Sequence, residues 1–188
     1  MTRMSRQQWF NLGWYQAVWF TAVTGGAPLT GVLLLLLLHL LCVECWRSEL
    51  GLMLGSAVPG CVADSLLSSF GVFVFDPVPM GLPIPLWLAA IWLGFGGTLR
   101  GSLRWLSARP ALMTALAAPG APLTYLGAER LGAVEFPLGT FATCLLVGAV
   151  WMTLTPLLCW LTRRANDRQA QLLARLELQS MKEIDHVR

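Results

Sequence analysis

The sequence predicts an all-α polytopic membrane bundle of six transmembrane helices with both termini cytosolic, followed by a cytosolic C-terminal amphipathic helix. Three observations carry that prediction. Of the 188 residues 56% are apolar and 12% charged, with a mean hydropathy of +0.63, whereas soluble domains carry about 25% charged residues. The charge is also crowded: ten of the 23 Asp, Glu, Lys and Arg residues lie from Arg163 to Arg188, two more (Arg3 and Arg6) precede the first apolar segment, and eleven remain from Gln7 to Thr162. A stretch that long with so few charges cannot clothe itself in a hydrated surface. Finally, with both termini inside, twelve of the 13 Lys and Arg residues fall on the inner side and Arg130 alone on the outer, the asymmetry expected of cytosolic loops.

The spans follow from apolar stretches near the length of about 20 residues that crosses a bilayer core. The first, Trp9 to Thr24, is short and aromatic all round, and stops at Gly25-Gly26-Ala27-Pro28. The second runs from Leu29 to Trp46 through an unbroken leucine run, Leu33 to Leu38. The third, Leu50 to Phe75, carries Pro59 and Asp64 and ends in the turn-rich loop Asp76-Pro77-Val78-Pro79-Met80-Gly81. The fourth, Pro83 to Trp105, has Arg100 and Arg104 at its inner end. The fifth, Ala111 to Ala128, contains Pro119-Gly120-Ala121-Pro122, and the sixth, Pro137 to Thr162, stops at Arg163-Arg164. Trp9, Trp46, Trp105 and Trp160 all fall at inner ends, the headgroup level an indole prefers. The chain therefore divides into a cytosolic N-terminus (1–8), a transmembrane domain (9–162) and a cytosolic helical tail (163–188), in which Leu172, Leu173, Leu176, Ile184 and Val187 share one side at helical spacing. No internal repeat is evident. A cleaved signal peptide is disfavoured because Asn11, Tyr15 and Gln16 interrupt the first apolar run.

Nucleic acid is not an expected partner, because the cations sit at segment ends rather than on one continuous face. Cys42, Cys45, Cys61, Cys144 and Cys159 lie in or beside apolar runs and read as free thiols. Cys42-Val43-Glu44-Cys45 has no second Cys pair or His pair to complete a four-ligand set, so neither a metal nor a cofactor is expected.

Asp64 stands out, since an acid inside a span costs about 2.5 to 3.5 kcal/mol on insertion scales and normally faces a cavity or a partner. It either binds a cation, relays a proton or anchors a polar headgroup, or it fixes helix packing through Ser65, Gln16 or Thr98. Pro119 and Pro122 strip backbone donors from the fifth span, which turns that face toward protein or a polar cavity. Asp64, Ser65, Gln16, Thr124, Tyr125, Glu129 and Arg130 are thus candidates to line a central polar cleft, with a kinked packing helix as the alternative. Arg100 and Arg104, one helical turn apart, are candidates to hold a lipid phosphate or a partner's carboxylate, or simple topology anchors. Asn11, Tyr15 and Gln16 suit interhelical hydrogen bonding. No nucleophile elbow, zinc-protease helix, phosphate loop or dinucleotide fingerprint is present.

From about Asn11 to Thr162 the chain resembles a family of small bacterial inner-membrane proteins known as domain of unknown function 2878. The resemblance rests on Asn11 and Gln16, Asp64-Ser65-Leu66, Pro85-Leu86-Trp87-Leu88 with Trp92 and Phe95, Thr98-Leu99 followed by Ser102-Leu103-Arg104-Trp105-Leu106, Gly120-Ala121-Pro122-Leu123-Thr124-Tyr125-Leu126-Gly127, Leu131-Gly132-Ala133 and Phe136-Pro137. Arg100 departs from it, standing where a small or polar residue is expected. The family has no established activity. Its members are often encoded near methyltransferases similar to cyclopropane-fatty-acid synthase and near flavin-dependent oxidoreductases, which implies a role beside the modification of membrane acyl chains. The leading expectation is a non-catalytic inner-membrane partner, in contact with membrane lipids, for soluble lipid-modifying enzymes docked on the cytosolic Arg100/Arg104 face and the tail. The alternatives are a lipid-modifying or lipid-handling protein using the central cleft, and a small proton- or cation-coupled transporter.

Overall fold

The computed structural model describes residues 4–24, 29–75 and 81–187. They form an all-helical protein: α1 (Arg6–Val23), α2 (Leu29–Cys42), α3 (Trp46–Ser69), α4 (Leu86–Thr98), the single turn α5 (Arg104–Ser107), α6 (Pro110–Arg130) and α7 (Thr140–Val187). The stop expected at Gly25–Pro28, most of the loop after Phe75, and Arg3 lie outside the described residues. Two helices are long and apolar enough to cross a membrane, Trp46–Ser69 and the Thr140–Gln179 part of α7, while Leu29–Cys42 and Leu86–Thr98 are shorter apolar helices.

Each of the six apolar segments holds one helix of three turns or more, but several ends move. α1 opens on a capping box, in which Ser5 Oγ accepts from the Gln8 N–H and the Gln8 side chain accepts from the Ser5 N–H. α2 stops at Cys42, so the turn between α2 and α3 is Val43–Cys45 and Trp46 already belongs to α3. α3 ends at Ser69 rather than Phe75, because Gly71 takes φ +72 and closes the helix with bonds from its own N–H to Ser68 and from the Val72 N–H to Leu67. Asp64 is consequently not in mid-span but about 7 Å from the end of its helix. α4 breaks at Thr98, and turns lead into α5. α7 does not stop at Arg163-Arg164: the apolar run ends there, but nothing in the sequence breaks the helix and it continues through the tail.

Packing order explains the interior. α1 and α2 lie on α4, α4 lies on α3, α3 on α7 and α7 on α6. The close approaches use small residues: a Cβ on Gly96 would come within 2.7 Å of the Met53 backbone across α3/α4, and one on Gly148 within 2.9 Å of the Ala118 carbonyl across α6/α7. That carbonyl is the one freed by Pro122, which has no N–H to offer it. Among the described residues α6 has no extended packing against α1 or α4, so the arc stays open between α1 and α6.

A repeat invisible in the side chains appears in the backbone. The end of α6 copies the end of α3 at a constant step of 61 residues: Gly71 matches Gly132 (φ +76), the three capping bonds of residues 70–72 recur at 131–133, and Val74 pairs with Glu135 in an antiparallel bridge. Because the bridged residues are each other's counterparts, a local two-fold axis passes between them. The sequence hides this, since within 64–75 only Gly71 and Phe75 recur, as Gly132 and Phe136.

Candidate functional site

The same step of 61 residues joins Asp64 to Tyr125, and these two meet. Asp64 is 2% exposed; its Oδ1 accepts the Tyr125 hydroxyl at 2.7 Å and its Oδ2 accepts Trp92 Nε1 at 2.7 Å. Gly60, one turn before Asp64 on the same face of α3, makes room for the indole: a Cβ there would overlap the six-membered ring of Trp92. Trp151 from α7 stacks on Trp92 with centroids 5.1 Å apart, and Phe73 stacks on Tyr125 at 4.9 Å. A buried acid near two hydrogen-bonding aromatic groups is a satisfied arrangement, since both carboxylate oxygens have a donor.

Trp92 and Tyr125 turn their other sides to a cavity of about 240 Å³ in the open part of the arc. On α6 its wall is formed by Met113, Leu116, Ala117, Gly120, Ala121, Thr124, Tyr125 and Ala128, one face at helical spacing that extends about 22 Å. Most of these side chains are small, and this is why α6 does not reach α1 and α4. Opposite stand Tyr15 and Trp19 of α1 and Trp87, Trp92 and Phe95 of α4. At one end Trp19 approaches Gly127; at the other Leu103 and Leu106, in and beside α5, close the floor. No charged side chain lines this cleft among the described residues.

Of the expected cleft residues, the structure brings together Asp64, Tyr125 and Thr124, whose hydroxyl is satisfied by the Ala121 carbonyl at 2.7 Å. Gln16 is exposed, because it falls on the face of α1 away from Tyr15 and Trp19. Ser65 follows Asp64 on a neighbouring face and does not line the cleft. Glu129 and Arg130, past the last wall residue of α6, do not line it and make no ion pair among the described residues. Asp64 therefore does not bond to Ser65, Gln16 or Thr98. Trp92 and Trp151, absent from the candidates, carry a signal in the sequence: both sit well inside apolar runs, where an indole N–H needs a partner.

A second polar cluster lies at the α5 end. Arg100 and Arg104 do not share a helical face, because α4 ends at Thr98 and Arg104 begins α5; Arg104 is exposed. Arg100 turns inward, donating from Nε to Asn166 at 2.7 Å and from Nη1 to Ser48 at 3.0 Å, with Nη1 3.6 Å from Glu49. Glu49 is buried and also lies 3.2 Å from His39, whose ring stacks on Trp14 at 4.1 Å. His39 and Glu49 flank the α2–α3 turn, so a hairpin reading of that turn would have paired them. Asn11 uses its whole amide here: Nδ2 donates to the Gly97 carbonyl at 3.1 Å, and Oδ1 accepts the N–H and hydroxyl of Ser102, both at 2.8 Å. Cys42 and Cys45 are exposed and free, and no group of three or more metal-binding side chains occurs among the described residues.

Compared with known proteins, the chain matches the model of the family described as "Protein of unknown function (DUF2878)" over residues 8–157. No curated protein and no solved structure matches it.

Proposed function

The chain belongs to the DUF2878 family of proteins of unknown function, and on that premise we propose that it is a multi-pass membrane protein that admits one apolar lipid chain into the cleft between α1, α4 and α6. In this reading α1, α2, α3, α4, α6 and the apolar part of α7 are spans, both termini face the cytosol, and the membrane is the bacterial inner membrane. The confinement of twelve of the 13 Lys and Arg residues to one side supports that orientation. So does the exterior, where large apolar side chains such as Phe10, Phe70 and Phe141 are more than 70% exposed. One observation carries the proposal: the cleft is elongated along α6, walled by aromatic and aliphatic groups, and bounded on its open side by α1 and α6, which among the described residues have no extended packing on each other. A lipid chain can enter such a slot sideways without leaving hydrocarbon.

The test is a photoreactive alkyl alcohol, bearing a diazirine near its uncharged end, with protein reconstituted in lipid nanodiscs and the labelled residues mapped by mass spectrometry. Gly120 has open space around its missing Cβ, so Ala117→Leu/Gly120→Leu fills the slot with little strain on the backbone. Labelling is expected on Ala117, Gly120 and Thr124 in the natural chain and is lost from the cleft in the filled variant, while labelling of outward-facing Leu123 persists. Equal labelling of the cleft in both proteins sinks the proposal.

A second reading concerns partners. Asn166 and Gln169 anchor α7 to the body through Arg100 and Ser48, and beyond them Leu172, Leu173 and Leu176 are exposed on a projecting helix. That face supports docking of soluble enzymes that modify acyl chains. Leu172→Glu/Leu176→Glu should abolish co-purification with the enzymes encoded beside the gene; retention of those enzymes by the variant removes the reading.

A further inference from the structure

The geometry points to a guest that carries a positive charge: an alkyl chain ending in a quaternary ammonium, its head against Tyr125 and Trp92 and its tail running along α6 toward Met113. This deepens the lipid-chain reading and rests on it. Four observations converge. Asp64 is a buried acid whose partners are two neutral donors, and among the described residues no Lys, Arg or His side chain forms an ion pair or hydrogen bond with it. Both donors belong to rings that line the cleft, so the acid lies one aromatic side chain behind the cleft wall. A carboxylate accepting from a phenol hydroxyl and an indole N–H polarises those rings and strengthens their attraction for a cation. Further rings, those of Tyr15, Trp19, Phe95 and Trp151, share the rest of the wall with aliphatic side chains.

The rest of the molecule supplies the contrast. At the surface, Trp46, Trp105 and Trp160 each carry a guanidinium from the protein itself, with Arg47, Arg109 and Arg164 at 5.3, 5.9 and 5.1 Å from the ring centroids. Among the described residues the cleft indoles have no such cation from the chain, although one of them, Trp92, has an acid behind it. An ammonium with methyl substituents suits this site better than a primary amine, because the walls offer few acceptors for N–H groups and the methyls bury well against rings.

The experiment uses two diazirine-bearing alkyl chains of equal length, one ending in trimethylammonium and the other in the isosteric, uncharged tert-butyl group, competing for the reconstituted full chain. The ammonium chain is expected to label the cleft in preference to its neutral twin by about tenfold, the scale of a desolvated cation–π contact. The preference should collapse to near parity in Asp64→Asn. Equal labelling of the cleft by the two chains in the natural protein overturns the charged-guest inference while leaving the lipid-chain reading intact, and labelling by neither chain removes both. Should Asp64→Asn fail to fold, Tyr125→Phe, which cuts one link from the acid to the wall, should reduce the preference severalfold; an undiminished preference in either folded variant also overturns the inference.

Discussion

Gly60→Ala is the sharpest test of how the Asp64 site is held together. The added methyl would overlap the Trp92 ring, which must then retreat about 1 Å or more to reach ordinary carbon–carbon separation. Its present contacts oppose that: Trp151 is stacked on it at 5.1 Å, and its N–H reaches Asp64 at 2.7 Å, a bond that a displacement of about 1 Å would end. Overpacking costs about 1–3 kcal/mol, and loss of a hydrogen bond to a charged acceptor about 1.5–3 kcal/mol. The better helix propensity of alanine returns about 1 kcal/mol, so the net loss is about 2–5 kcal/mol. Gly55→Ala is the internal control, because it lies in the same helix with open space around the new Cβ; it should stabilise by about 0.5–1 kcal/mol. Thermal unfolding in detergent measures both, and near-ultraviolet circular dichroism reports the Trp92–Trp151 stack, whose signal should weaken in Gly60→Ala alone. If the two variants melt together and the aromatic signal is unchanged, the wedged-indole account is wrong.

Three further outcomes follow from other parts of the structure. Asn11→Ala strips three buried hydrogen bonds that join α1 to the α4–α5 turn, and a loss of about 2–3 kcal/mol is expected by denaturant titration; a loss below about 0.5 kcal/mol would show that the amide is not the tie. Glu49→Gln leaves the Arg100 guanidinium without its counter-charge and should cost about 3–5 kcal/mol, whereas Glu49→Gln/Arg100→Met should recover most of that loss; a double variant as unstable as the single one contradicts the pairing. Gly71→Ala and Gly132→Ala each force a side chain into a left-handed backbone, at φ +72 and +76, and should destabilise by a similar amount, about 1–2 kcal/mol. A clear inequality between them argues against equivalent roles in the repeat.

The helices were legible because apolar runs and turn residues are local properties, and each of the six runs holds a helix, two of them long and apolar enough to cross a membrane. Their ends were less so. The reading carried α3 to Phe75 because Val72, Phe73, Val74 and Phe75 are apolar; hydropathy does not distinguish a helical from an extended apolar segment, whereas the left-handed Gly71 does. Asp64 and Tyr125 were legible as candidates since an intramembrane acid and a proline-flanked tyrosine are rare. Their mutual bond was not, because it depends on a repeat with almost no shared side chains. Gln16 misled for a simple reason: polarity marks a residue as costly in lipid without saying which way its helix is turned. Arg100 and Arg104 misled because spacing by four implies a shared face only while the helix lasts, and Gly97, Gly101 and Ser102 end it between them.

The pairing of Asp64 with Tyr125 at matched positions of two copies has a consequence for assembly. Were the two halves identical polypeptides related by perfect symmetry, the residue at this place would have to meet itself. Two aspartates there would repel each other unless they shared a proton, and two phenols would leave no carboxylate to accept from the indole. A donor facing an acceptor at matched positions is possible only where the two copies differ in sequence, as residues 64 and 125 do here. The difference between the copies is thus what permits a lone acid beside the cleft.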